Sequence, residues 1–454
     1  MAARDLTGGA VRGHLLRMSG FMLLTMLVQT AYGLIDIFWV GRLGRDAVAA
    51  VALGSNLMMA LMAVAQTLSV GATALVAQAA GRKDFDEARR LFTQSQLLSA
   101  LLALLFLVVA LALYGPYSDR LAGSAEVARL TREFLVPFIP AMALQIPMFV
   151  LSAALRGVGD VRSASFAQLG TVLLNIVLAP VLIFGWGTGR PLGVAGAALT
   201  TLIAVLIGMA GLLIHVLRQD RFLDRHAAAW RPQPAVWRRM VRIGLPSGLE
   251  LGVLAVYFGF IMAMLRSFGA APQAAFGIGM RVLQFGVMPA MAISFATAAI
   301  VGQNFGAGQP GRVRQAFVEA LKLNLAAVGL FCLVFQLAPD ALMRPFSADP
   351  AVIRYGAEFL RWISWNLLAM GVVAACGGVF AGFGNTLPSL FGTVVRFGFI
   401  VTVGLLLSAH ADFAPVWLWA LSIGGTLLQL ALNLLLLRCE LHRHLLPLER
   451  TSLA

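Results

Sequence analysis

Long apolar runs separated by short polar segments dominate the pattern of this 454-residue chain. Each run holds about 18 residues or more, which is enough to cross roughly 30 Å of hydrocarbon as a helix. None alternates with the two-residue period of a membrane β-strand, so the pattern predicts an all-α polytopic membrane protein. The first run lacks a small-residue cleavage site and is interpreted as a spanning helix rather than a signal peptide. Twelve spans are predicted: 18–40, 50–78, 96–115, 134–155, 164–185, 193–217, 244–265, 273–302, 320–338, 358–380, 389–408 and 415–437.

Composition and charge agree with this pattern. Hydrophobic residues make up 60% of the chain and charged residues only 12%, against about a quarter charged in soluble domains. If the N-terminus is cytoplasmic, 21 Lys and Arg residues lie on the cytoplasmic side and 9 on the other. Positive residues favour the cytoplasm, so we expect both termini there, in the inner (plasma) membrane. The net charge of +14 then faces anionic lipid headgroups and predicts no nucleic-acid partner.

The chain repeats itself at a constant offset of 225 positions. Each half contains six predicted spans, and an even number returns the chain to its starting side, so the halves are predicted to be parallel repeats. The predicted organisation is a first lobe over 1–217, a cytoplasmic linker with an interfacial segment over 218–242, and a second lobe over 243–454. The matched pairs include Gln78/Gln303, Gly81/Gly306, Gly157/Gly382, Gly159/Gly384 and Tyr32/Tyr257.

Two similar lobes are typical of a transporter that opens a central cavity alternately to each side. The chain contains no G-x-x-x-x-G-K-[ST] stretch for ATP, so we expect an ion gradient to supply the energy. The six histidines are scattered and the three cysteines (Cys332, Cys376, Cys439) are far apart. These residues predict no enzyme active site, no metal site and no disulfide framework. A passive channel is the remaining alternative, and the lobe symmetry favours coupled transport over it.

One carboxylate interrupts the first apolar run. Thr25, Gln29, Tyr32 and Asp36 are spaced four, three and four residues apart, which places them on one face of a helix. Burial favours the neutral form of an acid, so Asp36 is a candidate proton-binding group, and ionisable residues inside a membrane mark functional sites. The alternatives are a structural carboxylate satisfied by a neighbouring helix, or one that snorkels to the outer interface.

Other polar residues within the predicted spans are weaker candidates. Asn175 could line a site or join two helices. Glu250 lies one turn after Pro246, and Tyr257 follows on the same face, so this pair is a candidate lining for the second lobe. Three arginines lie within second-half spans, and one of them could pair with Glu250: Arg281, Arg361 and Arg396.

The ordered motifs resemble the multidrug and toxic compound extrusion (MATE) family, near its DinF-like branch. They cover nearly the whole chain: GLIDIFWVGRLG, GATALVAQAAGRKD, ALRGVGDVRSA, LLNIVLAPVLIFGWG, PLGVAGAALTT, GLPSGLE and VGQNFGAGQPGR. The resemblance implies a twelve-helix antiporter that exports amphipathic, often cationic, drugs or toxins in exchange for H⁺ or Na⁺. We expect a monomer embedded in the lipid bilayer, with no cofactor.

The resemblance also carries over site residues. It assigns ion coupling to Asp36, Tyr32 and Asn175. The remaining candidates are predicted to line the substrate cavity: Gln29, Thr25, Glu250 and Tyr257. Some relatives have a second Asp one turn after the Asn, where this chain has Ala179. The acidic pair of Na⁺-coupled relatives is incomplete here, so the prediction is proton coupling, with Na⁺ coupling as an alternative. A lipid-linked precursor flippase of related fold is the other alternative, favoured only by the second-half arginines.

Overall fold

The computed structural model describes residues 5–187, 189–219, 227–410 and 413–453. Within these ranges the chain is helical, with no strand. Two short 3₁₀ helices cover Ala227–Trp230 and Arg266–Phe268. The α-helices are α1 Val11–Gly41, α2 Arg45–Ser55, α3 Leu57–Gly81, α4 Phe85–Leu121, α5 Ala125–Gly157, α6 Val161–Phe184, α7 Gly193–Arg218, α8 Pro234–Leu265, α9 Ala270–Gly306, α10 Pro310–Leu337, α11 Pro339–Met343, α12 Pro350–Phe383, α13 Leu387–Ser408 and α14 Pro415–Leu453.

Twelve helical segments among the described residues are long and apolar enough to cross a membrane. The predicted all-α class with twelve spans in two halves is therefore confirmed. The predicted second span is interrupted at Asn56, where α2 ends and α3 begins, although the two helices together count as one span. Several helices extend beyond the predicted apolar runs, because their polar first and last turns continue the same backbone hydrogen bonding.

The connections between helices follow from local side-chain chemistry. Asp84 and Asp160 cap the first turns of α4 and α6 by accepting from the backbone N–H groups of Glu87 (3.0 Å) and Ser163 (3.2 Å). At the turns that follow α5 and α12, Gly159 and Gly384 adopt positive φ angles of 83° and 77°. This conformation suits glycine because it has no Cβ. The two glycines are 225 positions apart, which is the repeat offset.

The contacts divide the chain into two compact units. The first contains residues 24–248 and the second contains residues 5–23 together with 249–454. The chain passes between units within α1, at Leu24, and within α8, at Leu249, and these two positions also differ by 225. The predicted lobes over 1–217 and 243–454 follow the order of the chain. The contacts differ at two helices: the first part of α1 belongs to the second unit, and the first part of α8 belongs to the first unit. Residues 220–226 of the predicted linker lie outside the described residues. The last residues of the linker, 234–242, form the start of α8.

The first unit is built around α5, whose Leu135, Ile139 and Met142 are fully buried in its core. The start of α8 packs closely on α3. A Cβ on Gly244 would lie 1.7 Å from the backbone oxygen of Thr67, and one on Gly71 would lie 2.2 Å from that of Met240. Such small residues allow helix backbones to approach each other in a membrane protein.

The second unit holds the N-terminal segment by polar contacts. Leu6 is fully buried, and its backbone N–H donates to the Gln303 Oε1 atom at 3.0 Å. Arg312 donates to the carbonyl groups of Leu6 and Gly9 at 3.2 and 2.9 Å, and Asn304 also donates to that of Leu6. These bonds fix the segment that leads into α1, whose first half belongs to this unit.

Candidate functional site

A cavity of about 200 Å³ lies in the first unit and contains several of the predicted site residues. Gln29, Tyr32 and Asp36 line it from α1, and Asn175 lines it from α6. The fourth member of the polar face on α1, Thr25, is buried outside the residues that line the cavity. The rest of the lining mixes apolar side chains of α5, including Phe134, Phe138 and Met148, with polar side chains of α6 and α7, including Gln168, Thr171 and Thr201.

A hydroxyl group on α7 joins the tyrosine and the asparagine. The Tyr32 hydroxyl lies 3.4 Å from Thr201 Oγ1, and the Asn175 Nδ2 atom donates to the same oxygen at 3.2 Å. Thr201 itself donates to the Ala197 carbonyl at 3.3 Å. Because its proton is used in that bond, Thr201 accepts from both neighbours. Three helices are thereby tied together at one wall of the cavity.

Asp36 lies one helical turn beyond Tyr32 on the same wall. Its carboxylate lines the cavity, and no ion pair involving it occurs in the described part of the chain. The Oδ1 atom of Asn175 is buried and has no hydrogen-bond partner within the described ranges. The site therefore offers an uncompensated acid and an unused acceptor beside an apolar wall. A proton, a cation or the polar end of an amphipathic molecule fits this chemistry.

The other two predicted residues, Glu250 and Tyr257, belong to the second unit and do not line this cavity. Tyr257 repeats the arrangement of Tyr32: its hydroxyl donates to Ser422 Oγ at 3.4 Å, and Asn366 Nδ2 donates to the same oxygen at 2.9 Å. The tyrosines occupy equivalent places at the repeat offset. The amide comes from α12 in this unit and from α6 in the first.

The acid of the second unit has different surroundings. The Glu250 carboxyl is hydrogen-bonded to Ser389 of α13, while its Oε1 atom is buried without a partner among the described residues. The three arginines of interest are separated from it: Arg281 is exposed, Arg361 lies 3.5 Å from Asp340, and Arg396 donates to Gln429 at 3.3 Å. The expected pairing of one of them with Glu250 does not form within the described chain.

The sequence model of the MatE protein family matches the chain twice, over residues 22–181 and 246–407, once in each half. The chain belongs to the MatE family. Members of the MatE family are transporters and not enzymes. No group of three or more His, Cys, Asp or Glu side chains that could hold a metal ion occurs in the described ranges.

Two similar proteins each cover most of this chain. It is 26% identical over 436 residues to a protein of Shewanella oneidensis described as a FAD transporter, with 94% of each chain covered. It is 28% identical over 379 residues to the probable multidrug resistance protein NorM of Thermotoga maritima, covering 81% of this chain and 79% of the relative.

Two solved structures have the same fold. A MATE protein in a bent conformation superposes with a TM-score of 0.91 at 23% identity over 100% of both chains. An outward-facing multidrug resistance MATE family transporter superposes with a TM-score of 0.88 at 23% identity, covering 97% of this chain and 98% of the other. At these identities the likeness establishes the fold.

The sequence alone did not predict the two hydroxyl groups at the centre of these networks, those of Thr201 and Ser422. Threonine and serine in membrane helices commonly bond to the carbonyl one turn earlier, as Thr201 also does. Their occurrence in an apolar run therefore carries little information. At the 225-residue offset Thr201 corresponds to Thr426 and not to Ser422, so the repeat did not pair the two hydroxyl groups either.

Proposed function

We propose that this chain is a multidrug efflux antiporter that exports amphipathic, often cationic, small molecules in exchange for protons by alternating access between its two lobes. We place it in the inner membrane as a monomer, with both termini in the cytoplasm. The probable multidrug resistance protein NorM of Thermotoga maritima among its relatives supports the cargo class. The excess of basic residues in alternate loops supports the orientation.

The observation that carries the proposal is the position of Asp36 in the cavity of the first unit. It shares the cavity wall with Tyr32 and Asn175 and has no ion-pair partner among the described residues. A charged acid in this position is costly to bury, so neutralisation by a proton changes the energy of the site substantially. Protonation would allow the α1 wall to repack and expel the polar end of a bound drug. Release of that proton to the cytoplasm would reset the site.

The alternatives to this proposal involve the coupling ion, the transporter class and the cargo. Glu250, with one oxygen unpartnered, is the residue through which Na⁺ coupling would act. The flippase alternative needs several basic groups at one site, and the different surroundings of Arg281, Arg361 and Arg396 favour drug transport over it. Because the Shewanella relative is described as a FAD transporter, flavin nucleotides should also be tested as cargo.

The proposal is tested with purified protein in proteoliposomes loaded with a fluorescent cationic dye. A proton gradient alone should drive dye movement, and a Na⁺ gradient alone should not. A polyprenyl pyrophosphate serves as the second cargo. Dye movement driven only by Na⁺ would assign the coupling to the alternative ion, and movement of the pyrophosphate without dye movement would assign the chain to the flippase class.

A further inference from the structure

A polar face runs along α13 in the second unit. Ser389, Thr393 and Arg396 are spaced four and three residues apart, so they lie on one side of the helix. Phe391 and Val394, which are 54% and 48% exposed, mark the opposite, apolar side. The guanidinium group therefore points away from the exposed apolar face of this spanning helix and toward its packed neighbours.

Two amide side chains of α14 meet this face. Gln429 is only 4% exposed; its Nε2 atom donates to Thr393 Oγ1 at 3.0 Å, and its Oε1 atom accepts from Arg396 Nη1 at 3.3 Å. Asn433 lies one turn further along α14 and is fully buried. We call Thr393, Arg396, Gln429 and Asn433 the α13–α14 polar set.

The α13–α14 polar set is not internally satisfied. Arg396 Nε is buried with no hydrogen-bond partner, and so are both polar atoms of Asn433, within the described part of the chain. A Cβ on Gly392 would lie 2.3 Å from Asn433 Oδ1, so the Asn433 amide group lies directly against the α13 backbone. Buried polar groups without partners are costly. These donor and acceptor atoms are therefore available to bond another molecule.

The first half of the chain shows that the fold does not require this polarity on α13. At the repeat offset, Arg396 corresponds to the uncharged Thr171 and Gly392 to Ala167. Thr171 lines the cavity of the first unit. The equivalent position of the second unit thus carries a cation where the first unit carries a hydroxyl group.

The same comparison holds for α14. The paired tyrosine contacts equate Thr201 with Ser422, an offset of 221 in the last span of each half. At that offset Gln429 corresponds to Gly208 and Asn433 to Leu212. Leu212 is 1% exposed and packs in an apolar cluster. The first unit therefore fills this place with apolar groups, and the buried amides of the second unit are not needed for packing.

We propose that the α13–α14 polar set binds an anionic group, a carboxylate or phosphate, on an amphipathic substrate. Arg396 supplies the charge and a planar fork of donors that matches both groups, and Asn433 Nδ2 supplies a neutral donor. Glu250 contacts the same face two turns earlier, at Ser389, and forms no ion pair with Arg396 among the described residues. This inference rests on the proposed transport function and adds anion-bearing molecules to its cargo.

The test compares riboflavin with FMN, which share the ring system and differ by one phosphate. Equilibrium binding to the purified full-length protein in nanodiscs of neutral phosphatidylcholine is followed by flavin fluorescence. We expect FMN to bind at least about tenfold more tightly than riboflavin, the effect of one charge-assisted contact. Arg396→Gln should weaken FMN binding by about that factor and leave riboflavin binding little changed. Equal affinities for the two flavins in the wild type, or no FMN binding, would overturn the proposal.

Further variants separate a binding role from a structural one. Arg361→Gln removes the same charge from an exposed arginine of the second unit and should leave the affinity ratio unchanged. Asn433→Leu introduces the residue type found at the first-half position; it should weaken FMN binding while the thermal midpoint stays equal or rises. If Arg396→Gln does not fold, Arg396→Lys is used in its place. Lysine keeps the charge but lacks the planar donors of the guanidinium group, so the affinity for FMN should still fall several-fold. An FMN preference that persists in the folded arginine variant overturns the proposal.

A lipid headgroup carries the same chemistry as the substrate group. The measurement is therefore repeated in nanodiscs that contain phosphatidylglycerol. FMN affinity that does not depend on this lipid supports a substrate site, whereas its loss assigns the site to lipid and overturns the substrate proposal. Since no gradient is applied, the outcome is independent of whether Asp36 couples transport to protons.

Discussion

Replacing Asp36 with asparagine should abolish pH-driven export while drug binding is kept. The amide has nearly the same shape as the carboxyl group and can remain on the cavity wall beside Tyr32, but it cannot take up or release a proton. In proteoliposomes with an imposed pH gradient, we expect the variant to build no larger dye gradient than liposomes without protein. Drug affinity, measured separately at equilibrium, should stay within a few-fold of the wild type.

The size of this effect follows from the driving force. One charge moving inward across 100 mV supplies about 2.3 kcal/mol, and about 1.4 kcal/mol corresponds to a tenfold gradient. A neutral cargo could therefore be concentrated roughly a few tens-fold by the voltage alone. A cationic cargo that leaves in exchange for one proton carries the same charge outward. Its export depends on the pH difference alone, and this distinguishes the two cargo types.

Glu250→Gln is the matched control for Asp36→Asn, because it makes the same chemical change in the other unit. Glu250 is bonded to Ser389 and lies outside the cavity of the first unit, so this variant should lose much less pH-driven export. Normal export by Asp36→Asn, or a greater loss in Glu250→Gln, would remove Asp36 from the proposed coupling role.

Gly244→Ala should lower the stability of the protein markedly. The added Cβ would lie 1.7 Å from the backbone oxygen of Thr67, and a backbone atom cannot move aside as a flexible side chain can. Overpacking of this kind costs about 1–3 kcal/mol or more. The start of α8 would be pushed from α3 within the first unit. We expect a thermal midpoint lower by several degrees and a reduced yield of folded protein in detergent.

Gly252→Ala tests the same change on the same helix. Nothing lies within 4 Å of a Cβ at Gly252, and alanine favours a helix over glycine. Its midpoint should equal or exceed that of the wild type. If both variants melt alike, the close approach of α8 to α3 does not limit stability in the way described.

The fold was largely predictable because it depends on patterns that are local or repeated. Apolar run lengths fix the spans, and the 225-residue offset equates positions such as Tyr32 and Tyr257. The division into units was not predictable in this way. Hydropathy places α1 in the membrane but does not say that residues 5–23 pack with the second half, because that choice depends on contacts between distant segments.

The candidate site was predictable only in part. The polar spacing on α1 pointed to Gln29 and Asp36, and the mid-span position of Asn175 made it a weaker candidate; all three line the same cavity in the structure. The α13–α14 polar set was not predicted, although Arg396 was noted. Its partner Gln429 is 33 positions away, and only the register of two packed helices brings them together.

The most direct measurement of coupling is the reverse reaction. Proteoliposomes that contain a pH-sensitive dye are given a drug gradient and no ion gradient, with the membrane potential clamped. Because an antiporter exchanges the two species, movement of the drug down its gradient should drive protons in the opposite direction, and Asp36→Asn should abolish this pH change. Drug movement without a pH change in the wild type, or a pH change that persists in Asp36→Asn, would contradict proton exchange through Asp36.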